Sequence, residues 1–239
     1  MPKPDAMWLP PSLETLAEDA LLLRFGDRID AAVNDRVHAA ARRLASLPGV
    51  ECVPAYASLL LRFEPARWRR GDAAPHEHLR EAVATALRES DDTEAATREV
   101  TVPVWYGAEA GPDLDDVAAH ARLTREEVVA RHVAASYRVA MLGFAPGFPY
   151  LLGLDPALAM PRRTDPRLSV PAGSVAIGGS QTGIYPQALP GGWHLIGRTP
   201  WRLFDLRAAE PSLLRPGDRV RFRAIDGTEY ARLAARADA

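Results

Sequence analysis

The sequence has 239 residues, 47% hydrophobic and 25% charged, a globular balance that excludes a disordered or fibrous chain. The formal net charge of -2 excludes the basic field that a general nucleic-acid or anionic-membrane binder needs. Lys3 is the single lysine among 29 basic residues, so Schiff-base and Walker-type lysine chemistry is absent from the body of the chain.

Any bound phosphate or carboxylate must therefore meet arginine or backbone amides. Cys52 is the single cysteine, which rules out an internal disulfide and fits a reducing compartment. Residues 1–12 lack the basic-then-apolar layout of a secretion signal, and no apolar run approaches the roughly 20 residues of a membrane span. A cytoplasmic protein is expected.

In chain order, residues 20–25 form an apolar strand. Val33, Val37, Ala40, Leu44 and Leu47 then recur at helical spacing until Pro48-Gly49 stops them. Two short strands follow at 51–55 and 58–63, then a second helix over 75–88 with Leu79, Val83, Ala86 and Leu87 on one face. A strand at 100–105 closes a β-α-β-β-α-β series of split, ferredoxin-like type. The pentapeptide Leu-Leu-Leu-Arg-Phe stands at both 21–25 and 59–63, as expected if those two strands pair at the centre of one sheet. An acidic stretch at 89–98 reads as a connector, dividing the chain into a small α/β domain, 1–95, and a second domain, 96–239.

Beyond the connector, 113–120 is a short helix, and Thr124-Arg-Glu-Glu127 is a capping box opening another that runs to about 134. Strands are expected at 137–142, 175–177, 193–196, 202–205 and 219–225. Residues 143–200 hold 10 of the 17 glycines and 9 of the 21 prolines, so that segment cannot be mainly helix and points to a closed β-barrel or sandwich.

Three glycine-rich strings could carry chemistry. Gly143-Phe-Ala-Pro-Gly-Phe-Pro-Tyr-Leu151 sets aromatic rings on a tight loop, either to wall a concave site or to plug a barrel turn. Gly178-Gly-Ser-Gln-Thr-Gly183 offers backbone amides beside a carboxamide and two hydroxyls, suited to an oxyanion or planar amide, or else forms a plain tight turn. Pro190-Gly-Gly-Trp-His-Leu-Ile-Gly-Arg198 adds His194 and Arg198, and Arg162-Arg163 could hold an anion or simply be solvated. Neither nucleotide fingerprint and no GxSxG elbow is present. His76 and His78 lie two apart and share no helix face, while His120 and His132 fall on separate helices, so no metal site is expected.

Taken together, GFAPGFPYL, the arginine pair before Thr164, VPAGSVAIGGSQTGIYP and PGGWHLIGRTPWRLFD resemble the family called allophanate hydrolase subunit 1, KipI or the 5-oxoprolinase B subunit. Phe25-Gly-Asp-Arg-Ile-Asp30, Val53-Pro-Ala-Tyr-Ala-Ser58, Val102-Pro-Val-Trp-Tyr-Gly107 and Gly111-Pro-Asp-Leu-Asp115 extend the resemblance over nearly the whole chain. Trp105 departs from it, standing where a cysteine or another small residue is expected.

The resemblance implies that the second domain is a cyclophilin-like barrel. It also implies partners: a second cyclophilin-like subunit of the allophanate hydrolase subunit 2 type, and a TIM-barrel-like subunit. Together they would open 5-oxoproline to glutamate using ATP with Mg, none of it tightly bound to this chain alone. The chemistry of a resonance-stabilised lactam then assigns catalytic roles to Gln181 and Arg198. Substrate contacts fall to Phe144, Phe148, Tyr150, Arg162, Arg163, Gly179, Thr182 and Tyr185. The KipI name implies an alternative, an inhibitor docking on a sensor histidine kinase with those aromatics as interface anchors. Urea carboxylation would need a biotin carboxylase module that this sequence lacks.

Overall fold

The computed structural model describes residues 11–88 and 97–237, with side chains to 236. Most of the acidic connector and the first ten residues lie outside the described residues. The chain divides into two compact units, Met1–Ala95 and Ala96–Ala239.

The first unit contains β1 (Ser12–Ala17), β2 (Ala20–Arg24), α1 (Ala31–Leu44), β3 (Val50–Pro54), β4 (Ser58–Phe63), the one-turn α2 (Pro65–Trp68) and α3 (Pro75–Arg88). Its sheet is antiparallel in the order β1-β2-β4-β3. The Asp30 side chain accepts from Val33 N at 3.0 Å and so starts α1 as an N-cap. The two pentapeptide copies are central neighbours, with Leu21 opposite Leu61 and Leu23 opposite Leu59. These leucines are fully buried, packing with Val37, Ala40 and Leu44 of α1 and Leu79, Val83 and Leu87 of α3.

The chain order here is β-β-α-β-β-α-α rather than the expected β-α-β-β-α-β. The strand expected to close the sheet at 100–105 belongs to the other unit, and β1 takes the edge beside β2. Two residues, Glu18 and Asp19, join β1 to β2, so closing that hairpin costs little loop entropy. β1 escapes a pattern reading because five of its six residues are exposed.

The second unit contains β5 (Glu99–Tyr106), α4 (Leu114–Ala121), α5 (Arg125–Ala134), β6 (Tyr137–Leu142), β7 (Pro149–Leu152), β8 (Arg167–Val170), β9 (Ser174–Gly178), β10 (Gln181–Ile184), β11 (Leu189–Gly191), β12 (His194–Arg198), β13 (Arg219–Ile225) and α6 (Gly227–Ala237). Seven strands close a barrel in the order β10-β7-β6-β13-β5-β12-β9, and β8 with β11 forms a separate two-stranded ribbon. The Thr124–Glu127 capping box opens α5. Residues 202–205 are not the expected strand; Phe204 makes an isolated bridge to Ser212. Trp105 packs its ring 5.5 Å from Tyr230 of α6, which gives the large side chain its place.

Period-two alternation sorts the barrel residues into two populations. Val102, Val139, Leu151, Val175, Ile177, Ile184 and Phe222 fill the lumen. On the outside of β7, β10, β9 and β12 a second cluster gathers Phe148, Val170, Ala176, Tyr185, Trp193 and Leu195, with Tyr150 packed against it.

Candidate functional site

The outer cluster is an aromatic face. Phe148 lies at its centre, edge-on to Tyr185 at 5.2 Å and to Trp193 at 5.8 Å, and 4.9 Å from Tyr150. Phe148, Tyr185 and Trp193 are almost wholly buried, whereas Phe144 caps them with 60% of its surface exposed. Phe144 has φ of 66°, a left-handed conformation costly for a bulky residue, held by a tight turn in which Ala145 N donates to Gly143 O at 2.7 Å.

The glycines of the neighbouring strings make room for these rings. A Cβ on Gly178 would stand 2.5 Å from Trp193, and one on Gly191 would stand 2.2 Å from the Tyr185 hydroxyl. Glycine lets the rings lie flat on the strands.

Residues 160–163 run beside this face. Met160 and Gly179 exchange both backbone hydrogen bonds, at 3.1 and 2.7 Å, and Arg163 N donates to Gly192 O at 2.7 Å. The His194 ring contacts Pro161 O through Nε2 at 3.0 Å. Arg162 is exposed and sets its guanidinium 5.8 Å over the Trp193 ring, a cation–π contact. It has no counter-ion among the described residues. Burial raises the hydroxyl pKa of both Tyr150 and Tyr185, opposed at Tyr150 by the Arg162 charge and at Tyr185 first by a hydrogen bond from the Trp193 backbone and then by that charge, so both phenols stay protonated at neutral pH.

Gln181 begins β10, paired with Gly178, on the same outward side as Gly183. It is 9% exposed, and its carboxamide makes no hydrogen bond among the described residues. Gly178, its cross-strand partner, lies under the Trp193 ring that Arg162 covers.

A family model for the carboxyltransferase domain, subdomain C and D, matches residues 11–214. The 5-oxoprolinase B subunit of Bacillus subtilis (strain 168) is 44% identical over 226 residues, 91% of this chain and 94% of that protein. This chain belongs to the family of 5-oxoprolinase B subunits. The crystal structure of TTHA0988 is 42% identical with a TM-score of 0.74, covering 87% of this chain and 40% of that longer one. The Kluyveromyces lactis urea carboxylase, at 21% identity and a TM-score of 0.71 over 96% of this chain and 23% of that one, shares the fold. The span matched by the family model contains all three glycine-rich strings.

The structure brings Phe144, Phe148, Tyr150, Arg162, Gln181 and Tyr185 to the aromatic face and takes others away from it. Thr182 points into the lumen, where it is fully buried and donates to Ala176 O at 2.9 Å. The Gly179 amide is taken up by Met160. Arg163 pairs with Asp113 at 3.3 Å. Arg198 donates Nε–H to Ala172 O at 2.8 Å. It pairs with Ser174, four residues along β9 from the partner of Gln181, a separation of about 13 Å. Strand register, invisible in a linear motif, sets Gln181 and Arg198 apart along β9.

Two groupings escaped the sequence reading, although it singles out Arg163, His194 and Thr182 one by one. Asp113 is buried and accepts from Arg167 at 2.7 and 2.8 Å, from Arg163, and from Leu195 N at 2.7 Å. Burial alone would raise its pKa, but the Arg167 and Leu195 hydrogen bonds and both arginine charges hold it below the usual carboxylate range. Asp113, Asp116 and His194 bring ligand-type atoms within 4.8 Å of one another, and His194 Nδ1 is buried without a partner among the described residues. With both Asp113 oxygens already accepting from guanidinium groups, a divalent cation there would face two positive neighbours.

The second group is in the lumen. Tyr106 contacts His132 Nδ1 at 2.8 Å, and His132 Nε2 contacts Thr182 Oγ1 at 3.1 Å. Thr182 already donates its one proton to Ala176 O, so His132 must donate from Nε2 and accept at Nδ1 from the Tyr106 hydroxyl. Burial pushes the His132 pKa down to about 3, which keeps the ring neutral.

Proposed function

We propose that this chain acts in an ATP-dependent 5-oxoprolinase and that its aromatic face holds the substrate. The reaction consumes 5-oxoproline, water and ATP and yields glutamate, ADP and phosphate. The observation that carries the reading is Arg162, an exposed guanidinium over Trp193 without a counter-ion among the described residues, on the same face as the buried Gln181 carboxamide, which has no hydrogen-bond partner among them. A carboxylate next to a lactam needs one cation and one amide-pairing group on an apolar wall, and these residues supply that set. Gln181 would pair with the lactam amide, while Phe148, Tyr150 and Trp193 exclude water from the bond to be opened.

A nucleotide triphosphate fits this face poorly. It needs several converging cations, and Arg163, Arg167 and Arg198 are already committed to Asp113 or a carbonyl. ATP and its Mg are therefore assigned to a partner subunit. The partners proposed are a second cyclophilin-like subunit and a TIM-barrel-like subunit, this chain's own barrel being read as cyclophilin-like.

The test is co-purification with those subunits and assay of 5-oxoproline-dependent ATP hydrolysis. The intact complex should hydrolyse ATP only with the lactam present, and Gln181→Ala should lower turnover at least about tenfold. Lactam-independent hydrolysis, or full activity in Gln181→Ala, overturns the reading.

A further inference from the structure

We infer that Asp113 is the positioning residue for Arg162, holding segment 160–167 so that this one guanidinium faces the substrate; this rests on the reading above, in which Arg162 receives the substrate carboxylate. Arg162 makes no hydrogen bond of its own among the described residues, yet its neighbours on both sides are tied to the barrel. His194 contacts Pro161 O, Gly192 O accepts from Arg163 N, and Gly179 brackets Met160. The charged anchor beneath them is Asp113. Its two oxygens accept four hydrogen bonds, one from Arg163, two from Arg167 and one from the Leu195 amide of β12. The Asp113 amide in turn donates to Leu195 O at 2.9 Å.

Electrostatics makes the same point. Residues 162, 163 and 167 place three guanidinium groups within six positions. Asp165 is the one carboxylate inside that stretch and is exposed, so the buried Asp113 is the carboxylate that meets the guanidinium groups of Arg163 and Arg167. Asp113 takes two of the three and leaves Arg162 to face outward. A carboxylate held below its usual pKa by two arginines and almost fully buried keeps its charge and geometry at neutral pH.

The test uses Asp113→Asn and, as a variant with less risk to folding, Arg167→Gln, which leaves Asp113 bonded to Arg163 and Leu195. In the reconstituted complex Asp113→Asn should raise KM for 5-oxoproline about 10- to 100-fold with kcat within about threefold. Arg167→Gln should show the same split at smaller size. Amide hydrogen exchange on the full chain supplies a second readout. The amides of Met160 and Arg163 should exchange at least about tenfold faster in both variants, while those of β13 keep their rates.

Unchanged exchange in both variants overturns the proposal whatever KM does. Faster exchange with KM unmoved also overturns it, leaving Asp113 a stabilising residue only. A wild-type complex without lactam-dependent ATP hydrolysis instead sinks the carboxylate reading of Arg162, and the exchange data then report on the segment alone.

Discussion

Gln181 and Thr182 are adjacent residues of one four-residue strand, and they belong to different chemistries. Thr182 faces the lumen, where every polar side chain of the series Tyr106–His132–Thr182 has a partner. Gln181 faces outward, where its carboxamide has none among the described residues. The lumen is a solved packing problem, with its polar groups satisfied and its histidine held neutral. The outer face keeps an open amide, an exposed guanidinium and a strained phenylalanine, features that cost stability unless something binds there. A site is recognised by what the fold leaves unsatisfied, and here that lies outside the barrel.

The two faces part most widely under acid. The folded pKa of His132 lies near 3 and the unfolded value near 6.5, so the unfolded chain binds the proton first. Its contribution is fully present above pH 6.5 and is lost progressively as pH falls toward 3, at up to about 1.4 kcal/mol per pH unit. Denaturant melts of the wild type and His132→Gln between about pH 7 and 4 check this. The wild type should show the steeper fall, and parallel curves would deny that His132 is neutral.

On the outer face, Arg162→Ala should raise KM about 100-fold, near 3 kcal/mol of lost binding, and leave the melting temperature within about 1 °C. Thr182→Val reverses those effects. It strands the His132 Nε2–H and should cost about 1–3 kcal/mol of stability, with KM within about twofold. The two variants together sharpen the contrast, since each should move the quantity that the other leaves alone. Calorimetry and steady-state kinetics on the same preparations decide it.

Much of the fold was legible in the sequence because its signals are local. Helical spacing in 33–47 and the Thr124–Glu127 box each specify an element without reference to distant residues. The paired pentapeptides succeeded because two strands buried by the same helices need the same side chains. What failed was long-range. Asp113 meets its partners 50, 54 and 82 positions away, and no motif records that. The glycine strings are unusual, but their purpose is hidden in the sequence, since amide donors and clearances for aromatic rings call for the same residue. The aromatic residues are the better guide: Phe148, Tyr150 and Tyr185 converge, while the polar residues sharing their strings divide between two faces.

Arg198 is the narrowest test of that lesson. It shares a glycine-rich string with Trp193 and His194, and by motif alone it is as good an anion reader as Arg162. Register puts it near Ser174, about 13 Å along the strand from the partner of Gln181, with Nε–H already donated to Ala172 O. Arg198→Ala should therefore remove one side-chain-to-backbone hydrogen bond, costing about 1 kcal/mol, and change KM by less than about twofold. Arg198→Lys should behave alike, because neither lysine nor alanine reproduces the Nε–H geometry. If either variant instead raises KM to the level of Arg162→Ala, the substrate spans β9 from end to end, and the site is larger than the aromatic face.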